Sequence, residues 1–284
     1  MKHVADEGTS EPFVARLMNG ALELRNLSIG YDATSDKDRE LRRRHFDDRY
    51  MPVLDALGSA RNHEKAIREI LVSHKAKVAD GSIISRQQNA VQIGETVDSQ
   101  LQDHFASFLS ASARAAKLLQ ALLSYLDVEI GMLFQKEPRF LRELERLRES
   151  GAIELADYLA GTRKGWSEPL IKRRHVLEHE GWRLAEARYV GGEDGPMTFI
   201  EPVVDGLPVS EFSSKMLDQL LGFVEDALAF AVQRRIGEGL DLIDTPRAER
   251  DSANVKRFRL GSPALQPNQQ FWRLRYTGLG LSKS

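Results

Sequence analysis

The chain of 284 residues contains no cysteine. This absence excludes disulfide bonds, zinc sites built from thiolates and catalysis by a cysteine nucleophile, and it fits a protein of a reducing compartment. The chain also lacks a P-loop, a G-x-G-x-x-G turn, a nucleophile elbow and any internal repeat. The common phosphate-binding and hydrolase motifs therefore give no functional assignment.

Long uncharged hydrophobic runs are missing as well. The N-terminal segment has no apolar core of signal-peptide length. The most apolar region, residues 105–134, is interrupted by charged side chains at Arg114, Lys117, Asp127 and Glu129. We therefore expect a soluble, cytoplasmic protein without a membrane partner. The formal net charge is -2, so no overall field attracts nucleic acid, and any basic surface must be local.

Apolar residues recur at steps of three and four through much of the chain, which is the spacing of amphipathic helices. Near the N-terminus this spacing predicts helices over residues 10–27, 39–57 and 62–78, with a break at Gly58 between the last two. The longest stripe covers residues 97–133. It predicts the central helix of a bundle or of a dimer interface.

Three shorter helices are predicted further along. A charged helix covers residues 140–148, and another short helix ends near residue 159. The third covers residues 166–182, where Ser167 is expected to cap the N-terminus and Gly181 to end the helix.

After residue 182 the pattern changes from helical to extended. Extended segments at about 184–209 are separated by glycine-rich turns, including Asp205-Gly206, and helical spacing resumes over 211–236. The sequence thus predicts a mainly α fold. It is a helical bundle with a small antiparallel β meander inserted before the last long helix.

These elements divide the chain into three predicted parts. Residues 1–90 form an N-terminal helical region, residues 91–236 the bundle with its meander, and residues 237–284 a loop-rich tail. Within the tail, residues 271–276 alternate apolar with charged side chains, which is compatible with an edge strand on the meander.

The helix predicted over residues 166–182 carries the chemistry-bearing motif. Arg174 and His179 form an R-x4-H pattern, and polar His175 directly follows the arginine. This resembles the HEPN family of small helical-bundle proteins. The signature of that family is an arginine, usually followed by a polar residue, and a histidine four to six residues on, in a late helix of the bundle. The resemblance covers residues 97–236 as a fold and only this motif as a site.

The resemblance implies a metal-independent endoribonuclease, a toxin or defence effector, in which two copies of the motif face each other across a homodimer. It implies no cofactor, RNA as substrate, and an antitoxin or another protein as partner. The catalytic residues would be Arg174, His175 and His179. Metal-free RNA cleavage needs a base for the 2′-OH proton and a cation for the charge that develops on phosphorus, roles that suit histidine and arginine. Flanking phosphates would be bound by Lys172, Arg173 and Arg183.

Two alternatives remain open for the arginine and histidine. Many HEPN members continue with x-Tyr after the histidine, where this chain has Glu180-Gly181. A non-catalytic HEPN-like RNA- or protein-binding module is therefore one alternative. Arg174 and His179 also lie about 140° apart around a helix, so they meet only through the long arginine stem or a second subunit. Arg174 is equally well spaced for an ion pair with Glu178.

A second pattern, H-x-x-E-H, overlaps the first and resembles the inverted zinc metallopeptidases. His175 and His179 lie about 40° apart on a helix and can face one zinc ion, with Glu178 activating its water. The preceding cations, residues 172–174, would repel a divalent metal. Glu249 is at a suitable distance along the chain to be the third ligand.

Overall fold

The structure is a computed structural model that describes Arg25 and residues 33–87, 90–191, 195–233, 241–244 and 258–261. Within this part of the chain the α-helices are α1 (Asp36–Ala79), α2 (Asp98–Tyr125), α3 (Glu137–Glu149), α4 (Ile153–Thr162), α5 (Glu168–His179) and α6 (Val209–Gln233). The predicted mainly α fold is confirmed. No helix among the described residues combines the length and apolar character needed to cross a membrane.

The described strands form separate two-stranded antiparallel ladders. These pair β1 (Ile84–Gln87) with β2 (Ala90–Ile93), β3 (Arg188–Val190) with β4 (Thr198–Ile200), β5 (Val203–Val204) with β6 (Leu207–Pro208), and β7 (Asp241–Asp244) with β8 (Phe258–Gly261). The predicted β region before the last long helix is confirmed as β3 to β6. It consists of two hairpins: the β3–β4 ladder ends at Ile200, and β5 begins at Val203, directly after Pro202, which has no N–H to donate to a ladder.

Helix α1 is continuous, so the predicted break at Gly58 is wrong. Leu57 and Ala60, on either side of that glycine, are fully buried. A glycine inside a helix costs only about 1 kcal/mol, which burial of the flanking side chains offsets. Gly81, with a φ of 76°, lies just beyond the end of the helix and allows the chain to turn away from it.

Helix α2 ends at Tyr125, eight residues before the predicted end at 133. Asp127 adopts a φ of 58°, and the N–H of Val128 donates to the carbonyl of Leu123 at 2.9 Å, which closes the helix. The apolar spacing continues beyond this point because Leu133 is buried from a separate 3₁₀ turn, Gly131–Phe134. Spacing alone therefore does not mark where the helix stops.

A π-helical turn, Arg163–Ser167, joins α4 to α5 without a break. Ser167 has helical backbone angles and its side chain caps no backbone group, so its predicted capping role is wrong. A turn that carries the backbone onward leaves no free helix N-terminus to cap. The predicted end of α5 is confirmed: Gly181 has a φ of 66°, and the Trp182 N–H donates to Val176 at 3.2 Å.

The chain forms two compact units. Of the described residues, unit 1 contains those within 1–54, 117–130 and 221–284, and unit 2 those within 55–116 and 131–220. The unit 1 core includes Phe46, Tyr50, Val53, Leu122 and Val224, and the unit 2 core includes Leu57, Ile67, Phe105, Phe108 and Phe212.

Several sequence predictions fall on or near the chain ends. The helix predicted over 10–27 lies outside the described residues apart from the single position Arg25, and the edge strand at 271–276 lies outside them entirely. The segment predicted as a loop-rich tail contains the hairpin of β7 and β8. The three-part division of the chain stays a prediction.

Candidate functional site on helix α5

Helix α5 lies in unit 2 and presents two neighbouring histidines. Leu170 is buried and anchors the first turn, whereas His175 and His179 are both exposed. Their ring centroids lie 4.8 Å apart, as a spacing of four helical residues requires. The His175 side chain is 62% exposed, and its Nε2 lies 4.0 Å from Glu180 Oε1. Two imidazoles are therefore available to one bound molecule.

Arg174 makes the intrahelical ion pair that was the alternative to a catalytic role. Its Nε donates to Glu178 Oε1 at 2.8 Å, and the two side chains are 40% and 33% exposed. Such a pair at a solvated helix surface is worth only about 0.3–0.5 kcal/mol. An anionic ligand of higher charge density can therefore draw the guanidinium away at small cost.

Arg173 is held more firmly than its neighbour. It donates to both carboxylate oxygens of Asp205, from Nε at 3.0 Å and from Nη2, and its guanidinium lies 5.3 Å from the Trp182 ring centroid. The hydrogen bond from Arg173 lowers the pKa of Asp205, and the same bond raises the pKa of the arginine. The pair fastens α5 to the turn between β5 and β6, so this guanidinium is already engaged.

The other two predicted phosphate-binding cations are exposed. Lys172 lies on α5, and Arg183 follows the helix in the segment that leads to β3. That segment is tied to α2 by two backbone N–H groups: Leu184 donates to Gln102 Oε1 and Ala187 donates to Asp98 Oδ1, each at 2.7 Å. Arg183 thus lies at the start of a short connection that these two hydrogen bonds hold to α2 before it enters β3.

The H-x-x-E-H residues do not form a metal site of ordinary composition. Glu178, the general base in that interpretation, is bound by Arg174. In the ranges that the structure describes, no group of three or more His, Cys, Asp or Glu side chains could hold a metal ion. Glu249, the third ligand in the sequence-based hypothesis, lies outside them.

Contacts between distant segments were missing from the sequence analysis. Asp205 and Trp182 fix Arg173, and Gln102 and Asp98 fix the chain that leaves α5. A motif search finds residues close in sequence, and these partners are up to 89 residues apart. No local signal in the sequence indicated them.

Comparison with known proteins adds no assignment. No protein-family model matches the chain, and neither a curated protein nor a solved structure gives a significant match. The HEPN resemblance therefore depends on residues 174–179 and stays a prediction, and the chemistry of α5 is the remaining guide to function.

Proposed function

We propose that the chain is a cytoplasmic, metal-independent endoribonuclease that acts through Arg174, His175 and His179. The observation that carries this proposal is the pair of exposed imidazoles, 4.8 Å apart, on a helix that also bears a weakly held guanidinium. Two histidines suit a reaction in which the attacking hydroxyl must lose a proton and the leaving oxygen must gain one. Arginine suits a pentavalent phosphorus that accumulates negative charge.

The proposed reaction needs no oxidant and no metal. Neutral His179 accepts the proton of a ribose 2′-OH, and the 2′ oxygen forms a bond to phosphorus. The bond from phosphorus to the 5′ oxygen breaks, and protonated His175 gives its proton to that oxygen. The products are a 2′,3′-cyclic phosphate and a free 5′-OH. Arg174 leaves Glu178 to stabilise the charge on the non-bridging oxygens.

A second copy of the chain completes this site in the proposal. Because Arg174 and His179 lie about 140° apart around α5, their side chains leave the helix of one chain in different directions. A symmetric homodimer can bring the arginine of one copy to the histidines of the other through an isologous interface. We expect twice the monomer mass by light scattering at micromolar concentration. A monomer that nevertheless cleaves RNA would show that one chain is sufficient.

Cleavage of total RNA in the presence of a chelator tests the activity. We expect wild-type protein to produce 2′,3′-cyclic phosphate ends, and we expect His179→Ala and Arg174→Ala each to lose a factor of about 10² to 10⁴ in rate. Arg39→Ala is the matched control, because Arg39 also starts an arginine–histidine pattern and pairs with Asp36 on an exposed helix surface. Failure of the wild type to cut, with or without magnesium, would reject the catalytic proposal.

A non-catalytic RNA- or protein-binding module is the second candidate. The observation in its favour is that acidic side chains already bind both Arg173 and Arg174. In that case the wild type binds RNA without cutting it, and Lys172→Ala and Arg183→Ala weaken binding and reduce its salt dependence. A filter-binding titration at two salt concentrations distinguishes this candidate from the nuclease.

A further inference from the structure

Three histidines outside the candidate site lie at contacts inside unit 2. His74 on α1 is 1% exposed, and its Nε2 lies 2.7 Å from the hydroxyl of Tyr189 on β3. Its ring also packs edge-on against Phe199 on β4 at 4.9 Å. The other ring nitrogen, Nδ1, is buried and has no hydrogen-bond partner. The α1 contact with the β3–β4 hairpin therefore contains an imidazole with one polar partner, next to an ion pair of Lys75 with Glu201, the residue after β4, at 2.6 Å.

The second contact joins α1 to α2. His63 Nδ1 and His104 Nδ1 lie 3.1 Å apart, so one ring donates its proton and the other accepts with its lone pair. This arrangement requires at least one neutral imidazole. When both rings carry a proton on both nitrogens, two N–H groups and two positive charges face each other, and the contact is lost.

Protonation of His74 has a similar consequence. An imidazolium has two N–H donors, but Tyr189 provides only one acceptor. The nearby carboxylates are already engaged, since Lys77 binds Glu95 at 2.7 Å and Asp98 accepts the Ala187 N–H. A charged ring would be buried with an unsatisfied donor, and that state is costly.

We propose that His74 and the His63–His104 pair form an acid-sensitive latch that releases the β3–β4 hairpin and α2 from α1 under mildly acidic conditions. The segment that follows α5 is attached to both released elements. Two of its N–H groups donate to side chains of α2, and the segment continues into β3. Opening of the latch therefore loosens the C-terminal end of α5, where His179 lies. Opening of the latch can be tested without any RNA cleavage, because hydrogen exchange reports directly on the loss of these contacts.

The electrostatic surroundings agree with this direction. Burial lowers the pKa of His74, and Lys77 lowers it further, while Glu95 and Asp98 oppose the shift. Burial also lowers the pKa of His63, and facing His104 lowers it further. An unfolded histidine titrates near about 6.5. The released state therefore binds protons more readily than the closed state. The contacts stabilise the fold fully above the unfolded pKa and lose that stability as the pH falls through the lower pKa values of the folded histidines.

Amide hydrogen exchange of the β3–β4 hairpin tests the latch. Protection factors, corrected for the intrinsic effect of pH, are compared at pH 7.5, 6.5 and 5.5. We expect wild-type protection to hold between the first two and then to fall by up to about tenfold per titrating group down to pH 5.5. Most carboxylates titrate near pH 4 and contribute little in this window. Glu64, beside His63 on α1, is an exception because burial raises its pKa, so the His63 variant is needed to separate the two contributions.

Non-titrating variants decide the assignment. His74→Phe keeps the aromatic contact with Phe199, and His74→Gln keeps a polar group opposite Tyr189, so at least one should fold. Either variant should flatten most of the acid response of the hairpin, and His63→Gln should flatten that of α2. His175→Gln removes an exposed histidine and should leave the response unchanged. Wild-type protection that is equal at pH 6.5 and 5.5, or variants as acid-sensitive as the wild type, would overturn the proposal.

Discussion

Two arginine–histidine pairs in unit 2 have almost the same spacing and opposite surroundings. Arg68 and His74 lie on α1, where the histidine is buried, and Arg174 and His179 lie on α5, where the histidine is exposed. Each arginine binds a glutamate four residues away, but the α1 partner, Glu64, has a side chain only 2% exposed, against 33% for Glu178. Helical spacing therefore pairs an arginine with a glutamate in both places. Burial decides whether these residues stabilise the fold or remain available to a ligand.

The largest expected effect separates the two histidines by activity. His179→Ala should lower the rate of RNA cleavage by about 10² to 10⁴ and leave the melting temperature close to that of the wild type. His74→Ala should instead lower the free energy of unfolding by about 2–4 kcal/mol, because it empties a buried ring position. Initial cleavage rates and urea denaturation measure the two effects. A His179→Ala protein that cuts normally would remove the functional half of the comparison.

The second-largest expected effect concerns the ion pairs Arg68–Glu64 and Arg174–Glu178. Burial raises the pKa of Glu64, and Arg68 opposes that shift through its hydrogen bond. Arg68→Ala removes the guanidinium hydrogen bond from this buried carboxylate and leaves only the charge of Arg61 near it, so we expect a loss of about 1–3 kcal/mol in unfolding free energy. Arg174→Ala should cost no more than about 0.5 kcal/mol, since its partner is solvated. Equal losses by urea denaturation would show that burial does not distinguish the pairs.

A smaller, pH-dependent effect is expected at the Arg173–Asp205 ion pair, whose side chains are 20% and 40% exposed. Because the arginine lowers the pKa of Asp205, the ion pair stabilises the fold above about pH 4 and is lost as the pH falls through the lowered folded value. Both groups are partly exposed, so Asp205→Asn should cost no more than about 1 kcal/mol at pH 6. The difference from wild type should shrink as the pH falls below about 4, as measured by thermal unfolding over a series of pH values.

The smallest expected effect is that of Glu178→Gln. The substitution frees Arg174 without removing it, and it should cost at most about 0.5 kcal/mol in stability. If the nuclease proposal holds, the cleavage rate should stay within about twofold of wild type or rise, since that free energy corresponds to little more than a factor of two. A large loss of cleavage would mean that the carboxylate itself takes part in the reaction.

Sequence reasoning succeeded where structure depends on nearby residues. Apolar spacing predicted most of the described helices, and Gly81, Gly151 and Gly181 stand at helix ends with positive φ values. The contacts of His175 with His179 and of Arg174 with Glu178 follow from the geometry of any helix. These contacts could be predicted without knowing the fold.

It failed where tertiary packing overrides a local preference. The continuity of α1 through Gly58 depends on burial of the neighbouring side chains. The β1–β2 hairpin is mostly exposed, so its strands lack the alternation of a buried face. The partners of Arg173 and His74 come from segments distant in sequence. Such contacts follow from the fold and leave no spacing by which to find them.

The π turn between α4 and α5 makes the orientation of the histidines a question of phase. A turn closed from residue i to i−5 contains one residue more than an α turn, so it takes up that residue without rotating the helix that follows. Deletion of a single residue within Arg163–Ser167 that restores an ordinary turn should therefore leave the imidazoles on the same side of unit 2. A deletion inside α5, before His175, would instead turn them by about 100°, because each residue of an α-helix advances it by that angle. Changes in length are therefore absorbed at this turn, and they redirect the candidate site only when they fall within the α-helix itself.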